Sequence, residues 1–285
     1  MEPEPKSWLT FSSPNPFTLA VNNATKNWNG TLWYSVDKKN WIRWNGTTTL
    51  SSGKNNELYL IGKNNTVITG SGNGKHFVLN GQNVSCNGNI EILMDYQRVF
   101  NGEHPIMGRS CFRYMFYNCK ALTMAPELPA TTLTNSCYSY MFYNCTSLTT
   151  APKLPATTLA GNCYQSMFGY CSSIVTAPEL PAVTIDVACY NGMFYKCSSL
   201  TTLPVLHATI LTALCYTGMF SGCSKIKLSA TKTGIYTQEY RIPTSGTGTT
   251  ATSALDNMFN NTGGTFTGTP EINTTYYLDS SNTIV

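Results

Sequence analysis

Between Cys111 and Cys223 one phrase is written five times at a fixed interval of 26 residues. It reads Cys-aromatic-x-x-Met-Phe-x-x-Cys, at Cys111/Met115/Phe116/Cys119, Cys137/Met141/Phe142/Cys145, Cys163/Met167/Phe168/Cys171, Cys189/Met193/Phe194/Cys197 and Cys215/Met219/Phe220/Cys223. A second phrase runs between the copies, most cleanly as Ser147-Leu148-Thr149-Thr150-Ala151-Pro152-Lys153-Leu154-Pro155-Ala156-Thr157-Thr158-Leu159. A period of roughly 20 to 50 residues marks stacked units, each burying its apolar face against its neighbours.

The local geometry follows from the spacing. Counting the first Cys as zero, the first phrase is apolar at offsets 0, 1, 4, 5 and 8. On a helix these fall in one stripe of about 140°, which predicts a short amphipathic helix. Pro126, Pro152, Pro178 and Pro204 recur in the second phrase. Proline cannot donate to a ladder, so the expectation there is a strand of two or three residues that bends at the proline. Short helix plus short strand is leucine-rich-repeat geometry. The expected class is therefore α+β: an N-terminal antiparallel β domain followed by a leucine-rich-repeat solenoid of about seven turns, roughly 30 Å long.

Four regions are expected. Residues 1–70 form a β-sandwich-like domain, with runs such as Phe17–Val21, Thr31–Tyr34, Trp41–Trp44 and Glu57–Ile61 separated by turn signals such as Asn29-Gly30 and Asn45-Gly46. Residues 71–110 are a junction and N-terminal cap, flexible at Gly70–Gly74. In it His76–Leu79 and Val84–Ile90 enter the solenoid register, and Ile92–Tyr96 with Arg98–Phe100 cover the apolar end of the stack. Residues 111–230 are the five repeats. In residues 231–285, Ala254–Phe259 renews the frame 39 residues after Cys215 instead of 26, so a loop insertion around Ile242–Gly248 and a capping repeat are expected.

With both phrases in hand, the chain resembles the BspA-like leucine-rich-repeat proteins of the short Cys-Tyr-x-x-Met-Phe type, over residues 86–285 and including Asn273–Leu278. That resemblance implies a surface-binding role: a bacteriophage virion fibre, decoration or receptor-binding protein of gut phages, or alternatively a secreted gut-bacterial adhesin. Met1-Glu2-Pro3-Glu4-Pro5-Lys6 is not followed by an apolar run of signal length. The expectation is hence a virion surface reached after cytoplasmic assembly, with a bacterial surface or secreted location if a leader was removed. The partners implied are a protein or glycan on a cell surface and other virion proteins.

Chemistry is weakly signalled. The net charge of +4 divides into +3 over residues 1–110 and +1 over the rest, with no basic stripe, which argues against nucleic acid. No apolar run approaches the roughly 20 residues of a membrane span, so no insertion is expected. His76, His104 and His207 fall in no catalytic motif, and neither catalytic nor cofactor-binding residues are expected. Ten of the eleven cysteines belong to the frame, and Cys86 stands apart. Eight residues of helix rise about 12 Å and packed helices stand roughly 8 to 10 Å apart, against the ~7 Å that disulfide partners allow, so the cysteines read as small buried thiols and not as bridges or metal ligands.

The positions left free by the frame are the candidates for recognition. Tyr114, Tyr117, Tyr140, Tyr143, Tyr170 and Tyr195 project away from the stripe, either as an aromatic row for a glycan or protein partner or as cover for the gaps between units. Trp33, Trp41 and Trp44 are a second candidate set, as a sugar platform or as sheet packing. Threonines at 149–150 and 201–202, with Thr123-Met124 and Val175-Thr176, are expected along the strand face.

Overall fold

The structure, a computed structural model, describes residues 5–24, 26–70 and 75–285. Met1–Glu4, Thr25 and most of the expected hinge, Ser71–Gly74, lie outside them. Strands β1 (Leu9–Ser12), β2 (Thr18–Val21), β3 (Thr31–Ser35), β4 (Ile42–Trp44), β5 (Leu50–Ser51), β6 (Glu57–Lys63), β7 (Phe77–Asn80), β8 (Val84–Asn87) and β9 (Leu122–Met124) build two sheets. One has the order β4-β3-β6-β1-β8-β9, the other β5-β2-β7. All neighbours are antiparallel except β8 and β9.

Side chains alternate between the two faces of a strand, so Leu9 and Phe11, Leu58 and Leu60, Leu19 and Val21, and Phe77 and Leu79 all point into one core. Trp28 and Trp44 meet within it at 5.1 Å, and the Trp44 indole donates to the Thr48 carbonyl at 3.0 Å. The other face of β6 carries Tyr59 and Ile61, and helix α1 (Ile92–Phe100) covers them with Ile92 and Tyr96. This is a different place from the expected one, since the segment roofs the β domain and not the end of the repeats. The helix is broken at Asp95 (φ −156°, ψ 101°), whose carboxylate accepts the Gln97 and Arg98 amides at 3.1 and 3.2 Å and so starts the second half as a cap.

The α+β leucine-rich-repeat solenoid expected from the spacing is not what forms. Among the described residues α1 is the single α-helix, and the remaining structure is short strands in several small, open sheets joined by turns. The first phrase is a run of overlapping turns. Within it Cys137, Ser139, Met141, Tyr143 and Cys145 each donate an amide three residues back, to Thr134, Ser136, Tyr138, Tyr140 and Phe142. The intervening Ser136, Tyr138, Tyr140, Phe142 and Asn144 donate 25 residues forward, to Gly161, Cys163, Gln165, Met167 and Gly169. Alternate amides thus close the turn and bind the next copy, and the pattern accounts for every donor in the phrase.

This path requires a left-handed residue at every fourth position. Offsets −1, 3 and 7 have φ between 49° and 78° in all six copies of the frame: Ser110, Tyr114, Asn118; Ser136, Tyr140, Asn144; Asn162, Ser166, Tyr170; Ala188, Gly192, Lys196; Leu214, Gly218, Gly222; Ser253, Asn257, Asn261. A right-handed helix cannot contain them. The stripe at offsets 0, 1, 4, 5 and 8 fits a helix of 3.6 residues and also a backbone of period four, and the left-handed residues select the second.

The second phrase is less regular than expected. β9 is its only strand in the first three copies, and elsewhere single parallel bridges join Met124 to Thr150, Thr132 to Thr158 and Thr158 to Thr184. Further along, β10 (Thr202–Leu203) pairs with the C-terminal β16 (Thr283–Ile284), and β11 (Ile210–Leu211) with β14 (Thr249–Thr250). A three-stranded sheet of β12 (Leu228–Ser229), β15 (Thr275–Asp279) and β13 (Tyr236–Arg241) closes this end. The insertion is therefore part strand, and its loop follows at Ile242–Gly248. At the other end Ile68, Phe77 and Val84 donate amides to Cys111, Met115 and Ala121, so the β domain itself is the first layer of the stack. One core runs without interruption from Leu9 to Leu278.

Candidate functional site

The interior is built of columns. Phe116, Phe142, Phe168, Phe194, Phe220 and Phe259 stack at 5.5 to 5.7 Å with their planes within 11°. Phe112, Tyr138, Tyr164, Tyr190 and Tyr216 form a second column at 5.7 to 6.0 Å. Edge-on rings end the first: Phe77 stands at 87° to Phe116, and Tyr240 at 83° to Phe259.

The cysteines stand in two further columns, and all eleven are buried free thiols. Those at offset 8 donate to the Phe carbonyl of the preceding copy: Cys145, Cys171, Cys197 and Cys223 each at 3.0 Å, and Cys119 to Phe77 at 3.2 Å. Cys86, outside the frame in sequence, lies beside Cys119 and continues this column into the β domain. Burial pushes the Cys119, Cys171 and Cys223 thiols up to about 12, so they are donors at neutral pH. The distance argument against bridging does not survive, because a column step near 5.7 Å lies inside the separation that disulfide partners tolerate. What directs the offset-8 sulfurs is the backbone carbonyl that each one meets. Among the described residues no group of three or more His, Cys, Asp and Glu is placed to hold a metal, and no helix is long and apolar enough to cross a membrane.

The six candidate tyrosines are brought together as one strip on the outer face of the turn phrases, each half-buried. Tyr114 stacks on Tyr140 at 5.0 Å and 25°, and Tyr117 on Tyr143 at 5.3 Å and 5°. Tyr143 meets Tyr170, and Tyr170 meets Tyr195, edge to face at 5.2 and 5.4 Å. Both ends are closed by nitrogen-bearing side chains, of which Arg113 and Lys196 were not singled out in the sequence. His76 lies 5.6 Å from Tyr117, the Arg113 guanidinium 4.8 Å over Tyr114, and Lys196 5.1 and 5.3 Å from Tyr170 and Tyr195, donating to the Tyr170 hydroxyl at 3.3 Å. Lys196 occupies the same offset as Tyr170, which is the signal that could have found it.

The strip therefore uses its ring faces internally. The Tyr114 and Tyr170 hydroxyls accept from Arg113 and Lys196 at 3.3 Å each. Burial, with Tyr170 and Tyr117 adding, pushes the Tyr143 hydroxyl up to about 12, which keeps it protonated and a donor. Neighbouring phenols raise Lys196 in turn, so it stays a cation.

The tryptophan candidates are not brought together in the same way. Trp44 is 1% exposed inside the core and packs there, with no face free for a sugar. Trp41, 8% exposed, and half-buried Trp33 belong to the patch under α1 with Trp8, Tyr59 and Tyr96, where Lys38 lies 4.7 Å over the Tyr59 ring. Of the histidines, His104 Nδ1 is 2.8 Å from the buried Glu91 carboxylate, whose acidity burial weakens. On the second phrase Thr149, Thr150 and Thr176 are exposed while Thr202 is buried, its hydroxyl accepting the Ala177 amide at 2.6 Å.

Comparison with family models, with curated proteins and with solved structures returns no match.

Proposed function

We propose that the protein is a non-enzymatic binding protein that attaches to a cell surface through the tyrosine strip of its repeats. The setting implied by the resemblance of the repeat phrase is a bacteriophage virion, as a fibre, decoration or receptor-binding component. The strip is the observation that carries the reading. Six half-buried tyrosines lie in contact across four successive copies, on a backbone whose amides alternately close the turns and bind the next copy. A preorganised aromatic surface loses little freedom on binding, and tyrosine is among the residues that dominate interface energetics.

The test is a whole-cell pull-down and a glycan array with the intact chain and with Tyr117→Ala/Tyr143→Ala/Tyr195→Ala, its fold checked by circular dichroism. The expected result is a loss of binding of about tenfold or more, as for truncation of interface anchors. Unchanged binding would remove the strip from the function.

A further inference from the structure

Resting on that reading, we infer that the strip's ligand is an acidic polysaccharide laid along the stack, held by tyrosine hydroxyls and ring edges between Arg113 and Lys196. Three observations carry this.

The first is charge. The five turn phrases, residues 110–120, 136–146, 162–172, 188–198 and 214–224, contain no Asp or Glu, and their charged residues are Arg113, Lys120 and Lys196. In the repeats the acids Glu127 and Glu179 belong to the second phrase, and Asp186 precedes the fourth copy. The strip is cationic at both ends, and the Arg113 Nε–H is shielded from water without a hydrogen-bond partner.

The second is ring orientation. An aromatic ring is electron-rich on its faces and electron-poor at its edge. Tyr114 on Tyr140 and Tyr117 on Tyr143 cover one face of each ring, which reduces the surface on which a neutral sugar would stack. Phenol hydroxyls and electron-poor ring edges suit carboxylate, sulfate and hydroxyl oxygens.

The third is period. Contacts of 5.0, 5.3, 5.2 and 5.4 Å advance the strip by one near-constant step per copy, on the scale of one sugar unit in an extended chain. A linear polymer with a unit of about that length meets successive copies in the same way.

The experiment is biolayer interferometry of the intact protein against immobilised hyaluronan, heparin, neutral dextran and a mixed-sequence DNA duplex, in 50 and 500 mM NaCl. Hyaluronan and heparin are expected to bind, dextran not, with affinity falling about tenfold at the higher salt as exposed charges are screened. Arg113→Gln/Lys196→Gln is expected to weaken binding by about tenfold, the sum of two surface charge contacts. Dextran bound as well as hyaluronan, DNA bound more tightly than either glycan, or a double variant within twofold of the parent would each overturn the inference. If the parent still captures cells through the tyrosines while failing these tests, the ligand class is wrong and the surface-binding reading stands; loss of both refutes both.

Discussion

The inner phenylalanine column and the outer tyrosine strip are built on the same turns, yet they behave differently along the chain. Inside, the ring is Phe in all six copies, from Phe116 to Phe259, including the copy displaced by the insertion. Outside, tyrosine occupies offsets 3 and 6 in the first two copies, then single positions at Tyr170 and Tyr195. By the fifth copy the same face is Thr217, Gly218, Ser221 and Gly222. A ring stacked on both faces and sealed from water has no freedom to vary without leaving a void. A ring at the surface is fixed only by its neighbours, so its loss at the end of the strip leaves the rest in place.

The comparison can be broken hardest with base. Thiols at Cys119, Cys171, Cys215 and Cys223 are raised from 9 to about 12 by burial, and Tyr138, Tyr164, Tyr190 and Tyr216 are also pushed up. The folded state then holds protons that the unfolded state has lost. Stability is fully present below pH 9 and falls as pH rises from 9 to 12. Each such thiol contributes up to about 1.4 kcal/mol per pH unit. Urea midpoints at pH 8, 9, 10 and 11 are expected to drop steeply, and Cys119→Ala/Cys171→Ala/Cys223→Ala should flatten that slope.

Phe168→Ala removes one ring from the middle of the column and is expected to cost about 3 to 5 kcal/mol by urea denaturation. A loss below ~1 kcal/mol would mean that the column relaxes as a surface would. Gly218→Ala tests the backbone alone. Gly218 has φ +60°, and an added Cβ would meet only the Ser221 Cβ at 4.0 Å, so the penalty is conformational. About 1 to 2 kcal/mol is expected. The smallest effect belongs outside, where Tyr117→Phe keeps the ring and removes a half-exposed hydroxyl, for an expected change within about 0.5 kcal/mol.

How far these features could be read from the sequence depended on which alternatives shared a pattern. The period and the burial of the frame were plain, and Leu148, Leu154 and Leu159 are all inside. The helix was misread because its stripe coincides with a period of four. The distinguishing marks were Asn118, Asn144, Asn162, Gly192, Gly218 and Gly222, residues that tolerate the left-handed region. They were obscured by Tyr114, Tyr140, Tyr170 and Lys196 in equivalent conformations. The six tyrosines could be located because the frame does not use their offsets. Trp44 could not be separated from Trp33 in the same way, since alternation along a strand does not say which face is the core. Cys86 was legible only as part of the segment Val84–Ile90 that enters the repeat register; its place beside Cys119 was not, because that depends on β8 folding against β9 from outside the frame.

The alternation of amides within the turn has a consequence for how such a protein can change. Every boundary between copies presents the same row of donors to the same row of carbonyls, and the 39-residue step before Ala254 still restores it, with Tyr216, Gly218, Phe220 and Gly222 donating to Ala254, Asp256, Met258 and Asn260. Duplication or deletion of one whole unit in the gene would therefore lengthen or shorten the reach of the molecule without inventing a contact. Reach becomes an inheritable quantity that can be adjusted in steps, separately from whatever the outer face has come to recognise.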